Sequence, residues 1–429
     1  MNNGSPAYKA VFFALAGLLL FTSVAPESVT GSFNAIRLLK VASSGGGKAK
    51  GKTTLPSQPA PTAPTTTTPT TGTTTPTGST TGAIYPELSM ISSNFDVNSE
   101  LVPSWGTGQI PGLNPGNYEG AFRFICNAGQ LSYDDPIVYP GQPGKAHLHQ
   151  FFGNTGANAY SNYNSLRTTG SSTCMSPVNR SAYWMPAMLN GRGQVVRPDY
   201  VSIYYKRPPT GSPACTSMGT ACVPIPNGLR YVFGFDMANN TNGTESRFYF
   251  NCDGPGATPG HYPDIVTAAQ NCPVGARLGA MIGAPLCWDG KNVDSPDHRS
   301  HMAYGSYGWW GTYKCPETHQ YIIPQFTMAA WYTVDETLDR SGTWEAGKTV
   351  TWSLSSDNMP GQTPRKPGTT MHADWWGAWD NNVQAMWHQN CIDKMLDCSG
   401  GDLGNGKQIK MFSGFSWNAN PRLVPVPTA

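Results

Sequence analysis

The chain is short of charge. Asp, Glu, Lys and Arg make up 13% of its 429 residues, and the acidic side chains number 26. So sparse a set of carboxylates does not advertise a two-acid glycosidase, whose paired acids must flank one bond. Several signatures are missing outright: G-x-S-x-G, a strand-borne G-x-G-x-x-G and H-E-x-x-H. Their absence removes the nucleophile-elbow, dinucleotide and zincin templates. No C-x-x-C occurs, which speaks against a zinc ribbon or a redox pair. Helical periodicity is scarce and internal repeats are lacking. The apolar run Ala10–Ala25 falls short of the ~20 residues that span a bilayer.

That run follows Lys9 and ends in Ser23-Val24-Ala25, the pattern of a secretory signal peptide over 1–25. An uncleaved N-terminal anchor is the alternative, and only in that form would the protein meet a membrane. Residues 26–82 follow as a linker, first Gly/Lys-rich and then TTLPSQPAPTAPTTTTPTTGTTTPTGSTTG. Such a segment has too little apolar surface to offset its ordering entropy, and its prolines keep it extended. Residues 1–82 hold six Lys/Arg against one acid, Glu27, although the whole chain is only +2. The remainder is therefore net acidic, and nothing draws it to nucleic acid.

Residues 83–429 read as one large domain. All ten cysteines lie there; in an exported chain an even count reads as disulfides, and the short spacings pair Cys215 with Cys222 and Cys391 with Cys398. The runs 200–205, 229–235, 246–252, 321–334 and 348–354 are β-branched and aromatic, punctuated by Gly and Pro. The expected fold is all-β: a β-sandwich or jelly-roll-like core with long loops and one short helix near the C-terminus, within 379–396.

Histidine is where chemistry gathers. Of eight, six fall in HLH (147–149), DSPDHRSH (294–301), CPETH (315–319) and MHADWW (371–376). His147 and His149 share a face of a strand, as do His372 and Asp374, because side chains repeat every second residue. His298 and His301 are close enough to converge on a turn. A divalent metal wants several imidazoles with a carboxylate; acid–base catalysis wants one or two, with Tyr, Arg or Asp beside them. Histidines tying loops together are the structural alternative. Asp294, Asp297, Asp374 and Asp380 are the acids beside these motifs. The clustered tryptophans, Trp309-Trp310 and Trp375-Trp376 with Trp379, suit a buried core or a sugar-stacking platform equally.

HLHQFFGN (147–154), SAYWMPAML (181–189), DSPDHRSHMAY (294–304), CPETH (315–319) and HADWWGAWD (372–380) together resemble the DUF1996 domain of exported fungal and bacterial proteins. The resemblance covers roughly 90–400. It implies an extracellular setting near cell walls or biomass, without an established reaction.

The combined expectation is an exported carbohydrate-active protein that cleaves a polysaccharide, as hydrolase or lyase. The alternative is a non-catalytic module that binds cell-wall glycan or metal. His147, His149, His301 and His319 are the expected centre, as ligands of a divalent metal or as acid–base groups. His298, Asp297, His372, Asp374 and Tyr304 support them. Tyr183 and Arg299 orient substrate, and Trp184, Trp309, Trp310, Trp375 and Trp376 stack sugars. The partner is a polysaccharide or cell-wall glycan.

Overall fold

The computed structural model describes residues 85–106, 119–216, 219–241, 247–307, 313–417 and 421–428. Two sheets carry the fold. The larger runs in the order Phe248–Asp253, Arg277–Gly283, Gln325–Thr333, Tyr200–Arg207, Gly120–Cys126, Asp397–Cys398. Its pairs are antiparallel except the last, which is parallel. The smaller is antiparallel throughout, in the order Arg230–Gly234, His372–Trp376, Ala182–Pro186, His149–Gly153, Leu131–Ser132.

Alternation along the strands explains why the sheets stack. In Tyr200–Arg207, Val201, Ile203 and Tyr205 are fully buried while Tyr204 and Lys206 sit on the other face. The inner faces meet through aromatic rings. Tyr183 lies 5.4 Å from Phe326, and Trp375 lies 5.5 Å from the same ring. Phe124 and Tyr205 complete the contact. Each such side chain contributes about 1.5–3 kcal/mol on burial. The all-β sandwich expected from the sequence is what forms.

The outer face of the smaller sheet carries a second, minor core. Phe151, Trp184, Val232 and Trp376 pack there under Ile137 and under Tyr163 and Leu166 of the helix Tyr163–Thr168. Asn162 caps that helix, its side chain accepting from Ser165 N.

Two strand expectations need correction. Pro324 has no N–H for a ladder, and the run 321–334 divides into Tyr321–Ile322 and Gln325–Thr333. Within 348–354 only Ser353–Leu354 is strand. Its start is a turn instead, with Lys348 N and Thr349 N both donating to the Glu345 carbonyl. The C-terminal helix is Asn381–Trp387, continued by a π-helical turn at His388–Ile392.

Disulfides join Cys126–Cys174, Cys215–Cys222, Cys252–Cys272, Cys287–Cys315 and Cys391–Cys398. Both short-range pairs expected from spacing are present, and no described cysteine is free. Five disulfides fit an oxidising, extracellular environment. Among the described residues no helix is long and apolar enough to cross a membrane.

Candidate functional site

HLH places His147 just before the strand His149–Gly153, and alternation turns His149 to the same face as Phe151. That is the outer face, since Phe152 points into the main core. HAD does the same from another strand: Ala373 and Trp375 face inward, so His372 and Asp374 face outward. Register brings the two together. Asp374 pairs with Trp184, which carries His372 to the level of Pro186, and Pro186 pairs with His149. The imidazoles meet across an intervening strand that offers only a proline at that level. On the other flank His372 pairs with Gly234, where a Cβ would lie 2.8 Å from His372 Cα.

The ring centroids of His147 and His149 are 4.2 Å apart, those of His147 and His372 5.0 Å, and those of His149 and His372 6.3 Å. The ligating atoms of these three residues lie within 4.8 Å of one another, as do those of Asp135, His149 and Asp374. All except His147 are almost completely buried.

Hydrogen bonds fix what each group can do. His149 Nδ1 lies 3.0 Å from the Asp134 carbonyl and His372 Nδ1 2.8 Å from the Thr370 carbonyl. A carbonyl only accepts, so both Nδ1 atoms carry the proton and each Nε2 keeps a lone pair. Nε2 of His147, Nε2 of His149 and both carboxylate oxygens of Asp374 are buried without a hydrogen-bond partner. Native interiors seldom leave such atoms unpaired, and each instance calls for an explanation.

Burial also sets the charge states. It drives His147 well below the ordinary histidine range, reinforced by His149 and His372. It lowers His149 despite the opposing pull of Asp135, and it takes His372 down to about 3. Burial, and then the charge of Asp135, push Asp374 well above the carboxylate range. The three imidazoles are neutral at ordinary pH, the form in which histidine ligates metals or accepts protons.

The remaining expected residues lie elsewhere. His301 is buried, with Nε2 3.0 Å from the Arg230 carbonyl and Nδ1 2.7 Å from Ser295 Oγ. Burial lowers it to about 4, so this neutral ring has both nitrogens satisfied and ties a loop to the sheet edge. His319 reaches the Ser300 carbonyl at 2.9 Å and Thr318 Oγ1 at 2.8 Å. The expected convergence of His301 and His319 with His147 and His149 is therefore corrected: His372 takes that place. His298 faces Asp294 at 2.8 Å, and Asp294 also meets Arg230. Asp380 caps the helix Asn381–Trp387 and pairs with Arg167.

Tyr304 donates to the Gly283 carbonyl, away from the histidines' hydrogen bonds. Tyr183 is fully buried between the sheets, bonded to Tyr205 and Asn179. Trp184, Trp375 and Trp376 are at most 5% exposed, so none offers a ring face to a sugar. Trp309 and Trp310 lie outside the described residues. Arg299 donates to the Gly234 and Phe235 carbonyls, and its charge reaches His372 and Asp374. It stands at the rim of the centre.

Asp297 organises the DSPDHRSH loop. Burial alone would raise its pKa, but donors from Ser300, Ser295 and Arg299 outweigh that and hold it at about 2. A depressed carboxylate stabilises the fold above its unfolded pKa, and that gain is lost as pH falls through the folded one. Asp297→Asn is expected to melt at a lower temperature than the parent at pH 7. The gap should close between about pH 4 and pH 2; an equal gap at pH 2 would contradict this account.

Asp135 escaped the sequence reading. It sits in YDDP (133–136), and its Oδ1 accepts from Ile137 N at 2.9 Å and Val138 N at 2.8 Å. That is the behaviour of an ordinary turn aspartate; only its place opposite Asp374 sets it apart. Neither could the Asp134 and Thr370 carbonyls be read from residue types.

Residues 135–379, more than half of the chain, match the model of a domain of unknown function, DUF1996. No curated protein and no solved structure matches the chain.

Proposed function

Because the chain belongs to the DUF1996 family, whose name carries no activity, we propose from its own residues that it is an extracellular carbohydrate-active protein. It would cleave a polysaccharide at the centre formed by His147, His149, His372, Asp135 and Asp374. The observation that carries this reading is the convergence of buried ionisable atoms that lack partners. Groups that merely brace a fold find partners; strongly perturbed groups gathered in one place mark functional sites. The signal peptide and the Thr/Pro spacer would deliver the domain outside the cell and hold it away from a surface.

Three of the tryptophans expected to stack sugars are core residues, so that role passes to other rings. Tyr160 is 66% exposed. Its loop is tied to the centre's own loop, where Ala159 N donates to Asp134 Oδ2 and Gly141 N to the Ala159 carbonyl. A sugar on that ring would lie beside the residues that flank Asp135.

The test is incubation of the purified protein with a broad polysaccharide panel. A hydrolase yields new reducing ends; a lyase acting on uronates yields ultraviolet-absorbing unsaturated ends. His149→Ala should lose at least about 100-fold in rate, the usual weight of one acid–base or metal-holding group, while His319→Ala keeps its rate. Retention on insoluble glycan without products would replace cleavage by the non-catalytic binding reading.

A further inference from the structure

We propose that His147, His149 and His372 together hold one divalent first-row metal ion of the zinc class, leaving a coordination position open beside the Asp135–Asp374 carboxylate pair. This deepens the reading above and rests on the same centre.

Four observations carry it. Firstly, the three imidazoles come from two segments far apart in the chain, His147 with His149 and then His372, and present their ligating atoms to one another. Lone pairs facing lone pairs repel unless something positive lies between them. Secondly, His149 and His372 each donate Nδ1–H to a backbone carbonyl. Metal-bound histidines are oriented in this way, because the second-shell acceptor fixes the tautomer and aims the other nitrogen at the ion. Thirdly, the unpartnered Asp374 carboxylate is 1% exposed and shares the 4.8 Å cluster of Asp135 and His149. The nearby cation, Arg299, is already donating to two carbonyls. Fourthly, the spacing is that of an ion site. Four ligands at ~2.1 Å from a tetrahedral zinc stand roughly 3.4 Å apart, and small rotations of three rings close a separation of at most 4.8 Å.

The donor set selects the ion. Three nitrogens suit zinc, copper or nickel; calcium and magnesium require oxygen cages. Three protein ligands with a vacant fourth position is the catalytic pattern, whereas structural zinc is closed by four. Asp135 and Asp374 then have a role apart from ligation. Close together and buried, they flank the position where a water would bind.

The experiment measures binding, not turnover. Full-length protein is stripped with chelator and titrated with zinc chloride, with metal content read by elemental analysis. Cobalt(II) substitution then reports geometry through its visible absorption. One ion per chain is expected, with an intense four-coordinate cobalt spectrum. His149→Ala and His372→Ala should each bind at least 100-fold more weakly, and His319→Ala should bind like the parent. Asp374→Asn, isosteric and so less apt to disturb folding, should retain the ion and lose cleavage. Failure to bind zinc or cobalt at micromolar concentration overturns the proposal, as does equal binding by folded His149→Ala. If the histidine variants do not fold, competition of zinc against diethylpyrocarbonate for the parent's histidines decides: protection of His147 supports the site, and unchanged modification overturns it. A bound ion without products on any glycan would reject cleavage and leave the metal site standing; products from metal-free protein would do the reverse.

Discussion

Trp375→Ala will lose about 3–5 kcal/mol of stability, the usual cost of deleting a large ring from a close-packed core. The Trp375 side chain is fully buried. It stacks on Phe326 at 26° and meets Tyr231 edge-on at 5.4 Å and Tyr205 at 6.4 Å. It therefore joins both sheets through one ring, and no neighbour can collapse into the space without leaving its own stack. Urea unfolding followed by circular dichroism would show the loss as a lower midpoint. Trp375→Phe should recover most of it, since a phenyl ring can keep the stack on Phe326. A change below about 1 kcal/mol, accompanied by weaker glycan retention, would restore the platform reading that burial now excludes.

The second large effect has the opposite sign. Asp374→Asn should make chelator-treated protein more stable by about 1–3 kcal/mol, the range for relieving a buried polar group of its unmet desolvation cost. Both Asp374 oxygens are buried without donors, and burial together with Asp135 raises its pKa far above the ordinary value. At neutral pH the parent must either keep an unsolvated charge or take up a proton on folding, and both cost free energy. Asparagine keeps the shape and avoids the ionisation. Thermal melts in chelator at pH 7 test this. A lower melting temperature for Asp374→Asn would show that the carboxylate braces the fold. Sites kept for function commonly cost stability in this manner.

Much of the architecture was legible because it follows from patterns of short range. Alternation in Tyr200–Arg207 and the aromatic runs pointed to strands, and seven-residue spacings gave two disulfides. Half of the centre was legible for the same reason: H-x-D shares a face within the strand His372–Trp376, whereas of H-x-H only His149 lies in a strand and His147 precedes it. Which face, and opposite what, was not. His149 and His372 are joined by pairings through Ala182–Pro186, and nothing local records that adjacency. The sequence reading put His301 in the centre and His372 only in support, yet Ser295 and the Arg230 carbonyl consume both nitrogens of His301. The tryptophans misled because a Gly-flanked pair reads alike whether the strand is central or at an edge. Here Trp375 and Trp376 lie in a strand paired on both sides and packed on both faces.

The row that runs from Gly234 through His372 and the level of Pro186 to His149 makes the centre a gauge of correct folding. A slip of one residue between His372–Trp376 and Ala182–Pro186 would turn His372 and Asp374 into the aromatic core and expose Ala373 and Trp375. No slipped sheet can assemble the three imidazoles. During oxidative folding, capacity for the ligand would appear only when three strands, distant in the chain, have settled in register. A binding titration on refolding samples would count native molecules more sharply than strand content or thiol loss, both of which a misaligned sheet can imitate.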